Sequence, residues 1–311
     1  MIATRSLSKA AGVVVSSIDL GQPLTPEDRA QLNDLLNQHG LLVLKQQSLS
    51  KQQLVAASYN FGELEIHPHT NSIDREVPEI LVISTRGRDG DVIPESDEEV
   101  VGRIEWHTDL AYMTVPNHAA LLYGIEVPPE GGMTGFIDRQ KTYATLPQEM
   151  KKRIEGLTVN QSWRYAQESI AKSPGFRSDE GAKMLALDRF PDLGYPLVYA
   201  HPVTGTKVLN VPPMWAAAIV EMPGAEGRAL LDELITHSLQ DEFIYWHAYE
   251  PGDLVIWDNW RMMHAASGTK GRYRRLMYRT TIKGHIEFGQ PLDLEHARLA
   301  AERVAAMAVA K

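Results

Sequence analysis

Residues 242–282 read EFIYWHAYEPGDLVIWDNWRMMHAASGTKGRYRRLMYRTTI. Within this stretch EFIYWHAYE (242–250), DLVIWDN (253–259) and RRLMYRTTI (274–282) are short, rich in β-branched and aromatic residues, and separated by Pro, Gly, Asp and Asn. Such side chains fill a pleated, half-buried surface and the punctuating residues close turns, so the stretch predicts consecutive strands. Upstream, EILVIST (79–85), HAALLYGIEV (118–127), PLVYAHP (196–202) and TKVLNV (206–211) have the same character. This density of short strands predicts a mainly β fold with flanking helices (α+β), built as a sandwich, jelly roll or barrel.

Helical signals surround the strands. TPEDRAQLNDLLNQH (25–39) carries a Thr cap, a first-turn Pro and apolar spacing, with Gly40 after it, which predicts a helix over 26–39. Further helices are predicted near 50–60, about 139–155, 224–239 and 292–309, the last as a surface or dimer helix. Residues 12–20 alternate like a strand and GLLVLK (40–45) reads as a buried one. Two polar stretches, 84–103 and 165–188, are expected to be mobile loops that cover a site. The 311 residues are expected to form a single domain, 1–311, with insertions.

Composition removes several function classes. The net charge is -9 and no basic run is present, so the electrostatic footprint of a nucleic-acid or anionic-membrane binder is missing. Any anion must be caught by a few placed arginines. The chain has no cysteine, which excludes disulfides, thiolate zinc sites and cysteine nucleophiles. No segment reads as a secretory signal or approaches the roughly 18 apolar residues of a membrane span, so a cytoplasmic address is expected.

Residues 105–109 read EWHTD, placing His107 and Asp109 two apart. In a strand, such a pair shares one face and presents an imidazole and a carboxylate to one ion. The pair alone is a weak signal and needs a third ligand. GDLVIWDNWRMMH (252–264) is an apolar strand that breaks at a turn and delivers His264. Two His and one carboxylate on one side of an ion form the facial triad of non-haem iron oxygenases, with positions left open for co-substrate and O2. Arg275 and Arg279 then share strand parity, so both can face inward, about 13 Å apart at roughly 3.3 Å per residue. A buried guanidinium without an anion is costly, and two of them beside a metal point to two anions, each suited to bidentate pairing.

With these features in place, the sequence resembles the taurine dioxygenase and 2,4-dichlorophenoxyacetate dioxygenase (TauD/TfdA) family. The motifs are FGELEIHP at 61–68, WHTD at 106–109, PPEGGMTGF at 128–136, EFIYWHAYEPGDLVIWDN up to 259, MH at 263–264 and RRLMYRTTI at 274–282. The similarity spans about residues 10–285. It implies a double-stranded β-helix (jelly-roll, cupin-like) core, Fe(II) on His107, Asp109 and His264, and 2-oxoglutarate and O2 as co-substrates. It further implies that Thr134 and Arg275 hold the distal carboxylate of 2-oxoglutarate, and that His67 and Arg279 contact the substrate anion. Arg103 stands where the taurine enzyme has a substrate-contacting Asn, which argues against taurine and for a carboxylate. The implied reaction is hydroxylation of a small anionic organic substrate, in some cases with cleavage, releasing succinate and CO2. An intact Asp109 implies oxidation without halide transfer. Relatives form dimers or tetramers, so a homo-oligomer is expected.

Blander roles compete at single residues. His39, His118, His237, His285 and His296 read as surface or structural, His201 and His247 as satisfied core residues, and His69 competes with His67. Asp258 and Asn259 read as turn residues that fix the His264 loop. Trp106, Trp215, Trp260 and Met214 read as core first and pocket wall second, and Arg272 and Arg274 as solvent-facing. The same scaffold would also serve a sulfonate or alkyl sulfate dioxygenase. More remote alternatives are a zinc hydrolase and a non-catalytic β-barrel binding protein, neither of which explains Thr134, Arg275 and Arg279 in register with the triad.

Overall fold

The computed structural model describes residues 2–68, 72–87, 89, 94, 96–171 and 190–293. The described residues divide into two compact units. The first comprises the chain up to Ile104, Asn117–Asp138 and Asp241–His285; the second comprises Glu105–Pro116, Arg139–Gln240 and the residues from Ile286 on.

The first unit is built on two sheets. The larger has seven strands in the spatial order Ala3–Ser6, Val13–Ser16, Leu41–Leu44, Leu254–Asp258, Ala119–Glu126, Leu276–Ile282 and Leu81–Ser84. The smaller has four, in the order Ile244–His247, Thr134–Asp138, Met262–Lys270 and Val100–His107. The chain crosses repeatedly between them: 100–107 lies in the small sheet, 119–126 in the large, 134–138 in the small, and 254–258, 262–270 and 276–282 continue the alternation. This is the jelly-roll double-stranded β-helix.

Strand alternation explains its apolar runs. Leu42, Leu44, Leu121, Tyr123, Leu254 and Ile256 pack with helix residues Leu32, Leu36, Leu54 and Ala57 on the outer face of the large sheet. Their neighbours Leu41, Val43, Ala120, Leu122, Val255 and Trp257 turn the other way, onto Phe136 and Met262 of the small sheet. A strand buried on both faces reads as a continuous hydrophobic run, which is why LLVL shows no polar alternation. Truncating a fully buried side chain such as Leu42 to Ala costs roughly 2–5 kcal/mol.

Helix Pro26–His39 has the expected ends: Thr25 Oγ1 accepts from the Asp28 amide at 3.1 Å, and Gly40 closes it at φ 71°. Helix Lys51–Ser58 begins with a capping box between Ser50 and Gln53. The strand foreseen over 12–20 is shorter, Val13–Ser16, because Ser17 takes the left-handed conformation at φ 65°.

The second unit holds a four-stranded sheet, in the order Ala216–Ile219, Thr158–Gln161, Leu193–Pro196 and Gln290–Pro291, and a hairpin of Val198–Ala200 with Lys207–Leu209. Helix Ala225–Ser238 lays Leu230, Leu231 and Leu234 among Ile154, Val159, Leu193 and Tyr195. The single helix expected over 139–155 is two, Arg139–Thr145 and Gln148–Arg153. Pro147 separates them, since it offers no backbone N–H and pushes the residue before it out of the helical region. The 165–188 stretch begins inside a helix, Trp163–Ala171, instead of a loop. The rest of that stretch, His69, most of 88–95 and nearly all of the 292–309 helix lie outside the described residues. Among the described residues, no helix is long and apolar enough to cross a membrane.

Candidate active site

His264 sits on strand Met262–Lys270, paired in register with Phe136. Its ring lies 4.9 Å from that of Trp257 and stacks on Phe136 at 6.2 Å, between centroids. The preceding turn is fixed as expected: Asp258 Oδ1 accepts from the Trp260 amide at 2.9 Å, and the Asn259 amide donates to the Asn117 backbone and side-chain oxygens at 3.1 and 3.0 Å.

His107 ends strand Val100–His107. Its Nδ1 is 2.7 Å from the Glu105 carbonyl oxygen, and a carbonyl only accepts, so Nδ1 carries the proton and Nε2 keeps its lone pair for a metal. Asp109 follows, with Oδ1 3.6 Å from His107 Nε2. The backbone of this segment is held at two points: the Met214 amide donates to the Trp106 carbonyl at 3.1 Å, and the Trp215 indole N–H to the Thr108 carbonyl at 2.9 Å. Immediately after Asp109, Leu110 takes φ 54°. A non-glycine residue there costs on the order of 1 kcal/mol, offset by burying Leu110 with Tyr112, Trp163 and Trp215.

His107, Asp109 and His264 are all buried, and each places one ligand atom within 4.8 Å of the others. Two imidazoles and a carboxylate, without thiolate, suit ferrous iron.

The expected anion sites lie on the sandwich interior of the first unit. A bulge falls between Leu276 and Met277, yet Arg275 and Arg279 retain the same face: Arg275 stands over the Tyr249 ring at 6.0 Å and Arg279 over Trp257 at 5.5 Å, and both rings belong to one core cluster. Arg275 donates from Nε to the Gly132 carbonyl at 3.1 Å. Gly132 has φ 66°, and a Cβ there would lie 2.6 Å from Pro128 and 3.2 Å from the Arg275 chain, which accounts for glycine in PPEGGMTGF. Burial pushes the Arg275 pKa down, and among the described residues no carboxylate lies within ion-pair distance of it. Thr134 is buried and its Oγ accepts from the Tyr249 hydroxyl at 3.2 Å.

His67 is half-buried, in a turn tied to the Arg279 strand by a Leu64–Ile282 bridge and by the Glu65 amide donating to the Thr281 carbonyl at 2.9 Å. Arg103 is exposed, beside Gly268. Arg272 and Arg274 face outward as expected, pairing with Glu98, Glu130 and Glu126. His201 and His247 are satisfied core residues: His201 Nδ1 accepts from the Val203 and Thr204 amides, and His247 bridges Tyr245 and Asp253.

Two residues gain roles that the sequence reading did not assign. Tyr249 touches both expected co-substrate residues, and Trp215 anchors the carbonyl between two candidate ligands. The available signal for Tyr249 was spacing: it lies two residues beyond His247, which ends strand Ile244–His247 and pairs with Thr134.

Comparison with known proteins agrees with this geometry. Residues 3–281 match the family model described as taurine catabolism dioxygenase TauD, TfdA family. The chain is 32% identical, over 88% of its length and 93% of the relative's, to an alpha-ketoglutarate-dependent 2,4-dichlorophenoxyacetate dioxygenase of Cupriavidus pinatubonensis. It is 31% identical, over 89% and 93%, to an (S)-phenoxypropionate/alpha-ketoglutarate-dioxygenase of Sphingobium herbicidovorans. A solved structure of AAD-2 in complex with Mn(II) and N-oxalylglycine superposes with TM-score 0.73 at 30% identity, covering 93% of this chain and 99% of that one.

Proposed function

The chain belongs to the taurine catabolism dioxygenase TauD, TfdA family, and from that premise we propose that it is an Fe(II)- and 2-oxoglutarate-dependent dioxygenase that hydroxylates a small, carboxylate-bearing substrate. The observation that carries the reading is the approach of His107, Asp109 and His264 ligand atoms to within 4.8 Å. Ferrous iron, when bound, supplies the oxidising chemistry, coupling O2 and the conversion of 2-oxoglutarate to succinate and CO2 with hydroxylation of a substrate C–H bond.

His107 and His264 offer neutral imidazole nitrogens and Asp109 one negative charge, so the metal keeps a net positive charge that favours an anionic co-substrate. Thr134 and Arg275 hold the distal carboxylate of that co-substrate, the guanidinium gaining a counter-charge that the described residues around it do not supply. Arg279, buried against Trp257, supplies a second cation for the substrate carboxylate, with His67 as its partner and Arg103 as an outer contact. Burial of the ligands and of Trp257 and Phe136 excludes bulk water, which strengthens each of these charge interactions.

Oxygen uptake and succinate release, measured with Fe(II), 2-oxoglutarate and parallel panels of carboxylates, sulfonates and alkyl sulfates, test the reading. Substrate-dependent uptake with the carboxylates is expected. Turnover confined to sulfonates or sulfate esters would reassign the substrate, and hydrolysis that proceeds without O2 or 2-oxoglutarate would replace the reading with a zinc hydrolase.

A further inference from the structure

Tyr249 is buried in the sandwich, and in its contact with Thr134 it is the tyrosine that donates, at 3.2 Å. A hydroxyl has one proton and two acceptor lone pairs. With one lone pair of Thr134 engaged by Tyr249, the threonine proton must go to another acceptor, and the described residues supply none. Over the same ring stands Arg275, whose Nε is committed to the Gly132 carbonyl and whose terminal nitrogens meet no acceptor among the described residues. The groups flanking Tyr249 therefore end in donors only.

The ring that joins them is itself fixed. His247 meets it edge-on at 4.6 Å between centroids, and the imidazole is clamped between the Tyr245 hydroxyl at 3.0 Å and Asp253 Oδ2 at 3.1 Å.

We propose that Tyr249 is a positioning residue of the co-substrate site: by donating to Thr134 it commits that hydroxyl to donation, so that the place beside Arg275 presents only donors and selects a deprotonated carboxylate. The inference rests on reading Thr134 and Arg275 as the anchors of 2-oxoglutarate. Tyr249 touches no reacting atom; it acts through Thr134. Without it the threonine hydroxyl rotates freely and spends part of its time offering a lone pair to the incoming anion.

The test is a double-mutant cycle on the Mn(II)-loaded protein under anoxic conditions, with 2-oxoglutarate and N-oxalylglycine binding read by calorimetry. Tyr249→Phe keeps the ring and removes the donor, and affinity for both ligands is expected to fall about 3- to 10-fold, the scale of one hydrogen bond. Thr134→Val is expected to weaken binding further, and adding Tyr249→Phe to it is expected to change nothing more. Thr134→Ser retains the acceptor, so there the effect of Tyr249→Phe persists. In turnover, the change falls on KM for 2-oxoglutarate and leaves KM for the organic substrate alone. Additive effects of Tyr249→Phe and Thr134→Val, or wild-type affinity in Tyr249→Phe, would reduce Tyr249 to a packing residue while the co-substrate reading stands. A wild-type protein that binds neither ligand overturns the co-substrate reading, and the role of Tyr249 with it.

Discussion

Arg261 grips the Asp138 carboxylate with two parallel hydrogen bonds, Nε to Oδ1 at 3.0 Å and Nη2 to Oδ2 at 2.6 Å, and its remaining nitrogen donates to the Asn37 and Gln38 carbonyls at 3.1 and 3.0 Å. One guanidinium, three residues before His264, thus closes the C-terminal end of helix Pro26–His39 and ties it to the last residue of strand Thr134–Asp138 in the small sheet. Removing one partner leaves the other charge buried without its bidentate counter-charge. Arg261→Ala is expected to lower unfolding free energy by about 3–5 kcal/mol, read as a fall in the urea midpoint. Gly40→Ala is expected to destabilise as well, since a Cβ at this left-handed position would lie 2.8 Å from Met262 and 2.9 Å from Arg261.

Loss of a proposed ligand should be distinguishable from loss of fold. His107→Ala is expected to abolish substrate-dependent oxygen uptake and to weaken Mn(II) or Co(II) binding beyond the roughly 10- to 100-fold that outer partners of a metal site cost. The circular dichroism spectrum should be retained. Unchanged metal affinity in this variant would remove His107 from the ligand set.

The indole of Trp215 donates to the carbonyl of Thr108, the residue between two proposed ligands. Trp215→Phe retains an aromatic wall but releases that carbonyl, and metal affinity is expected to fall roughly 10-fold or more. Met214→Leu, a volume-conserving change next door, serves as the control and should leave metal affinity as it was. Equal metal affinities in the two variants would show that the hydrogen bond does not orient the ligand segment.

Acid should destabilise the protein through two carboxylates. Burial alone would raise the pKa of Asp253, but hydrogen bonds from His247, Lys45 and the Glu250 amide outweigh it and the net shift is downward. Asp74 is lowered in the same way against its burial, by Lys51 and the Val77 and Glu76 amides. A carboxylate whose folded pKa lies below its unfolded value adds stability that is fully present above the unfolded value, 3.8, and is lost as pH falls through the folded one. The urea midpoint is therefore expected to hold between about pH 7 and 5 and to drop below about pH 4. Asp253→Asn should start lower at neutral pH and lose less on acidification; a slope identical to wild type would discount Asp253.

Local order was readable wherever one short segment decides it. The caps of helix Pro26–His39, the strand runs and the break after Asp258 depend on neighbours a few residues apart, and their signals lie in the chain itself. The division of 139–155 into two helices was equally local, written in Pro147, and the periodicity of the flanking residues hid it. Parity along one strand likewise located Arg275 and Arg279 on a common face.

The sequence by itself determined which residue types stand ready: two imidazoles and an acid for a metal, two arginines for anions, no thiol to compete. Only the tertiary structure decided what those residues meet. That His264 comes to Asp109 across more than 150 positions, that Tyr249 donates to Thr134, and that Arg275 has no acidic neighbour among the described residues are outcomes of strand pairing between distant segments. The physical reason is that hydrogen bonds and charges act over a few ångströms of space, whereas a sequence records distance only along the chain.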